Sequence, residues 1–347
     1  MEGEIKNLSY VYSLVIASLC YCYFVSSKIS PGKLRFISVF PIFCLFTILP
    51  YYLSSAFNTA LLTFFITWLS NFKLLLFCFG HGPLSSHIHS FSFFISVACL
   101  PIRIKQSTTS TNTATKALPL NVSIQILGFA ILVKVLCSYR EGLHQKIIQC
   151  LYCFLCFLLI DILIALSSTL VRALVGVELE PASNEPYLST SLQDFWGKRW
   201  NLTVTTTLRD TVYKPVRKAI ERVIGKDLAP VTAVIAAFLV SGLMHELLFY
   251  NVTRVYPTWE TTLFFVLHGI CVVVEVWLKK WVQGRGWQLP LVVSTGLTVG
   301  FVVGTSLWLF FPPLIRNGAD TRVLEEMTFF AKLIWSRLTN IFWSIYK

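Results

Sequence analysis

The stretch IIQCLYCFLCFLLIDILIALSSTL, residues 147–170, is apolar almost from end to end. A helix rises about 1.5 Å per residue, so this segment is long enough to cross the roughly 30 Å hydrocarbon core of a bilayer. Its apolar side chains lie all round the helix, which suits lipid or a buried core and not a water-facing face. Working outward, seven further stretches have the same character: about 10–25, 36–53, 56–79, 122–139, 228–250, 261–278 and 289–311. Pro41 and Pro50 make the second the least regular, because proline removes a helix donor. Residues 87–102 are apolar but short and interrupted, and read as a surface or re-entrant piece. The expected fold is an all-α, polytopic integral membrane protein of about eight transmembrane helices, forming one domain over 1–347.

The composition agrees. Hydrophobic residues make up 55% and charged residues 13%, with a mean hydropathy of +0.67. A soluble domain carries roughly a quarter charged residues, so half that amount leaves much of the surface to lipid. The net charge of +12 does not point to nucleic acid, since no soluble domain remains to bind it. It fits basic loops beside anionic headgroups. Of the ten cysteines, Cys44, Cys78, Cys99 and Cys271 sit in apolar runs and act as small apolar residues. Cys150, Cys153 and Cys156 are spaced three apart, but the run has no fourth ligand, so packing is the reading and no metal or disulfide framework is expected. His81, His87 and His89 cluster near the third stretch and read as interfacial polar residues. The start, MEGEIKNLSY, is acidic and lacks a small-residue cleavage site, as expected of a retained first span.

Loop charge sets an orientation. With the N-terminus outside the cytosol and eight alternating spans, cytosolic loops hold eighteen basic residues and the opposite side nine. Only Lys73 and Lys134 fall within spans. The bias follows the positive-inside tendency. The tail 325–347 alternates apolar and charged residues and is expected to form an interfacial helix.

Between the fifth and sixth spans lies the only long hydrophilic region, about 171–227. It interleaves aromatics with charges at Phe195, Trp196, Lys198, Arg199 and Trp200. From Trp196 to Lys226 it holds eight basic residues against Asp210 and Glu221. A cationic cytosolic surface beside an apolar body suits a ligand with an anionic head and an acyl tail, such as acyl-CoA. It equally suits an amphipathic helix lying on anionic lipid. The sixth span contains SGLMHELLFY, which places His245 and Glu246 inside an apolar helix. Ionisable groups there face protein or a water-filled cavity, and a neutral imidazole is what a general base requires. A histidine bonded to a neighbouring helix is the plainer alternative. In the seventh span His268 and Glu275 are seven apart on one helix face, and read as a structural or supporting pair within the membrane. GxSxG, Walker, GxGxxG, HExxH and His-x4-Asp patterns are absent.

Taken together, QDFWGKRWN (193–201) followed by SGLMHE (241–246) resembles the membrane-bound O-acyltransferase superfamily, and within it the plant wax synthase group. PYLSTSLQDFW, PTWE at 257–260 and LHG at 267–269 extend the likeness, which covers essentially the whole chain and is strongest from Glu180 to Gly269, within a motif region of about 171–270. The resemblance implies transfer of a fatty acyl group from acyl-CoA to a long-chain alcohol. His245 would be the general base and Asn201 would orient substrate or donate a hydrogen bond. Phe195, Trp196, Lys198, Arg199 and Trp200 would shape the acyl-CoA entrance, with Glu246, His268 and Glu275 supporting. Acyl-CoA is a co-substrate, and no cofactor or metal is expected. A sterol acceptor is the nearest rival, a non-catalytic lipid transporter or scaffold the more distant one. The endoplasmic reticulum is the expected membrane.

Overall fold

The computed structural model describes residues 2–85, 90–104, 122–176, 179–181, 183–282 and 289–345. His87, His89 and the Thr-rich stretch 106–116 lie outside them. Among the described residues, eight helices are long and apolar enough to cross a membrane: Gly3–Lys28, Lys33–Tyr52, Ala56–Cys78, Val122–Gly142, Gln145–Val175, Ala229–Thr253, Glu260–Val282 and Leu291–Arg316. In lipid every backbone group needs an internal partner, and helices supply one. The only strands among the described residues are Arg103–Ile104 and Leu179–Glu180, paired antiparallel. The second span stays helical through Pro41 and tightens into a 3-10 turn over Leu49–Tyr52, which contains Pro50.

The first three spans share one buried cluster that includes Val15, Phe46, Leu74 and Phe77. The expected surface or re-entrant piece contributes to it. Phe91–Cys99 is a short helix with Phe93, Phe94 and Val97 buried in this cluster, so it is a packed core element and not a surface one. Its end is held by the buried Lys73, whose Nζ donates to the carbonyls of Val97 (2.7 Å) and Leu100 (2.6 Å). A cation at the carbonyl end of a helix is favourable, and these partners offset the cost of burying it. Arg35, one of the eighteen basic residues that the charge count places in cytosolic loops, is also buried; it donates to the carbonyls of Ser27, Ile29 and Phe77.

The fourth and fifth spans pack as a hairpin against Phe311 and Leu324. The sixth and seventh meet closely at two glycines. A Cβ on Gly242 would meet Thr262 Cα at 2.9 Å, and one on Gly269 would meet Phe238 Cβ at 3.0 Å. Small residues at such crossings let membrane helices pack on their backbones.

The C-terminal helix runs Ala319–Ile345 and starts earlier than its alternating pattern suggests. Its first turns dock on the bundle. Asp320 pairs with Arg140 at 2.8 Å. Glu326 accepts from Ser55 Oγ and from the Ala56 and Phe57 amides, each at 2.8 Å, and so caps the third span.

Candidate active site

The hydrophilic region is a chain of short pieces and not one amphipathic helix. Ser191 caps Leu192–Asp194, a π-helical turn follows over Phe195–Arg199, and the chain breaks at Trp200–Asn201. Leu202–Leu208, a second π turn and Lys214–Ile224 complete it. In the last piece Arg217, Lys218 and Arg222 are exposed while Val216 and Ile220 are half-buried. The amphipathic pattern belongs to that piece.

His245 sits two-thirds along the sixth span and is half-buried. Its Nδ1 lies 2.7 Å from the carbonyl oxygen of Ser241, one turn earlier. A carbonyl only accepts, so Nδ1 carries a proton, and in the neutral ring Nε2 then carries the lone pair. The ring stacks on Phe265 (centroids 4.4 Å apart, 29° between planes) and meets the edges of Trp68 at 5.0 Å and Phe310 at 5.6 Å. No carboxylate among the described residues forms an ion pair with it. The result is a neutral imidazole in an aromatic box, with one nitrogen fixed and the other open.

His268 is built differently. It is fully buried. Trp196 Nε1 donates to its Nδ1 at 3.0 Å, and its Nε2 lies 2.9 Å from Thr305 Oγ1. An accepting Nδ1 requires the proton on Nε2, so that nitrogen donates to Thr305. Both nitrogens are used, and the ring ties the hydrophilic region to the seventh and eighth spans. Glu275 does not pair with it. Seven residues put the two side chains about 10 Å apart along the axis, and Glu275 instead meets Lys279 Nζ at 2.6 Å and the Gln193 amide at 3.1 Å. Glu246 is buried too and accepts from the Thr262 amide at 3.0 Å. Thr262 lies in the first turn of the seventh span, where a carboxylate satisfies a free donor and complements the helix dipole.

The aromatic motif faces two ways. Phe195 and Trp200 stack at 5.8 Å and 10°, and Trp200 continues onto Phe157 of the fifth span at 6.0 Å. Trp196 turns to the other side, against Phe238, Phe264, Phe265 and His268. Arg199 is not a free cation. It pairs with Asp194 at 2.7 Å and donates to the carbonyls of Asn184 and Glu185, which makes it a clasp for its own loop. Lys198 is exposed. Asn201 is buried at φ +35° and caps the next helix through Oδ1, which accepts from the Val204 amide at 3.3 Å. The cap uses only the oxygen of the amide; Nδ2 meets no acceptor among the described residues, and no hydrogen bond there joins Asn201 to His245.

Several members of this site escape sequence reasoning. Trp68, Phe265, Phe310 and Thr305 carry no motif. Three of the four described π-helical segments feed the cluster: Thr63–Ser70 carries Trp68, Phe195–Arg199 carries Trp196, and Ser306–Phe310 carries Phe310. Such segments are rare and concentrate at functional sites. Asp161 is an acid within the fifth span and accepts from Gln125 Nε2 at 3.2 Å, as an intramembrane carboxylate must find a partner. Among the described residues, no group of three His, Cys, Asp or Glu could hold a metal ion.

Known proteins share these features. The pattern described as "Membrane bound O-acyl transferase family" matches residues 179–267, which span the aromatic motif, His245 and Glu246. The chain is 42% identical over 336 residues to the long-chain-alcohol O-fatty-acyltransferase of Simmondsia chinensis, covering 94% of each. It is 41% identical over 332 residues to probable long-chain-alcohol O-fatty-acyltransferase 1 of Arabidopsis thaliana, covering 94% of this chain and 96% of that one. It is also 41% identical over 322 residues to acyl-CoA–sterol O-acyltransferase 1 of the same plant, covering 91% and 92%. On this likeness over nearly its whole length, the chain is a multi-pass membrane protein that belongs to the membrane-bound O-acyl transferase family.

Proposed function

We propose that the protein is an acyl-CoA-dependent O-acyltransferase that esterifies a long-chain primary alcohol to a wax ester, with His245 as the general base. The observation that carries this reading is the open Nε2 lone pair of His245, held by the Ser241 carbonyl within an aromatic box. An alcohol hydroxyl brought to that nitrogen gives up its proton as its oxygen attacks the thioester carbon. The tetrahedral intermediate then collapses with cleavage of the carbon–sulfur bond, and the proton passes from His245 to the departing sulfur. Acyl transfer is direct, without an acyl-enzyme. Asn201 has an uncommitted amide nitrogen that can donate to the oxyanion. Apolar walls exclude the water that would otherwise hydrolyse the thioester.

The cationic residues of the hydrophilic region, Lys198 and the exposed Arg217, Lys218 and Arg222, give the phosphates of CoA a cytosolic landing surface. Loop charge supports that orientation, and the endoplasmic reticulum is the membrane we infer. A sterol acceptor is the second reading, favoured by the 41% identity to a relative named as a sterol acyltransferase. The test is to feed microsomes containing the protein with labelled acyl-CoA and a panel of alcohols and sterols, then identify the neutral lipid. Wax ester supports the first reading and steryl ester the second. No ester with any acceptor would leave a lipid transporter or scaffold.

A further inference from the structure

Trp68 lies on the third span in the π-helical stretch Thr63–Ser70 and is 2% exposed. Its indole meets the His245 ring edge to face at 5.0 Å. Its Nε1 is buried and has no hydrogen-bond partner among the described residues. Burying an N–H without an acceptor is costly, and buried indole nitrogens normally find one. The position is not slack. Asn251 Nδ2 donates to Thr63 Oγ1 at 3.2 Å, which sets the register of the third span against the sixth about a turn and a half from the Trp68–His245 contact. A buried indole N–H that spends its donor on no described group, in a ring packed against His245, is able to serve an oxygen brought to the base.

We propose that the Trp68 indole N–H donates a hydrogen bond to the thioester carbonyl oxygen of the acyl donor. This rests on the reading of His245 as the base. The alcohol hydroxyl is the poorer acceptor for it, because that oxygen must give its proton to Nε2 and keep its lone pair for attack. The carbonyl oxygen gains charge instead: as the carbon–oxygen bond forms, the carbonyl π pair moves onto it. When the carbon–sulfur bond breaks the pair returns, and the sulfur takes the proton from His245. A donor already in place needs no reorganisation as that charge grows. Trp68 thus complements Asn201 from the opposite part of the chain.

The test replaces Trp68 in the full chain by 3-benzothienylalanine, which keeps the indole shape and has sulfur where the N–H was. Trp68→Phe is made beside it. Initial rates of ester formation are read at matched membrane abundance. Inhibition by hexadecyl-CoA, a thioether with no carbonyl, reports whether the acyl-CoA channel is intact. The expected result is a fall in kcat of about 10- to 100-fold, with KM and thioether inhibition unchanged, since one oxyanion donor remains. Wild-type kcat in the benzothienyl variant overturns the proposal. So does a fall in kcat matched by loss of thioether inhibition, which would make Trp68 a packing residue. His245→Ala in the same membranes reports separately on the base: activity there would remove the base and leave the donor standing.

Discussion

Replacing Gly242 by alanine adds one methyl group at a close crossing of the sixth and seventh spans. The new Cβ would lie 2.9 Å from Thr262 Cα, against an ordinary contact of 3.4 Å or more. The obstacle is backbone, so the sixth and seventh spans must separate by about 0.5 Å. His245 is three residues along the same helix, and Phe265, the ring on which it stacks, is three residues beyond Thr262. The displacement therefore falls between the base and the wall of its own box. Overpacking of this kind costs about 1–3 kcal/mol. A 1 Å misplacement can cost about 10²-fold in rate, so half of that points to about tenfold. The assay is ester formation from labelled acyl-CoA in microsomes at matched protein abundance, with thermal stability measured in detergent. Gly300→Ala is the control, because a Cβ there meets nothing within 4 Å; it should hold the wild-type rate and gain about 0.5–1 kcal/mol of helix stability. A Gly242→Ala protein with wild-type rate and melting point would refute the reasoning, as would an equal loss in the control.

His245→Ala should lower ester formation by about 10²–10⁴-fold while the protein still accumulates in the membrane; near-normal rates would end the proposed mechanism. Asn201→Ala should lower turnover, and the Asn201/His245 pair should be little worse than the poorer single variant, because groups serving one transition state are strongly non-additive. Multiplicative losses would reduce Asn201 to its helix cap. A protease site inserted after Gly225, in the exposed turn before the sixth span, should be cut in sealed microsomes without detergent, and protection would reverse the topology. Glu326→Ala frees the Ala56 and Phe57 amides that the carboxylate holds. It should cost about 1–2 kcal/mol by loss of a helix cap, read as a lower melting point with the catalytic rate nearly retained.

The sequence alone determined the eight spans, because a bilayer imposes a local rule: about 20 apolar residues in a row, whatever lies elsewhere in the chain. It also singled out the aromatic motif and His245, because each stands out against its own neighbours. It did not decide what those residues touch. His245 and His268 look alike as single histidines in apolar helices. Only packing shows that one keeps an open nitrogen while the other spends both, on Trp196 seventy-two residues away and Thr305 thirty-seven away. Arg199 looks like a phosphate ligand until Asp194 claims it. Trp68 has no local signal at all, and the His245 ring it packs against comes from a distant part of the chain. Span formation follows from residue-by-residue transfer into lipid. Reactivity depends on which lone pairs and N–H groups remain unpaired once every helix has found its partners, and that is a property of the assembled bundle.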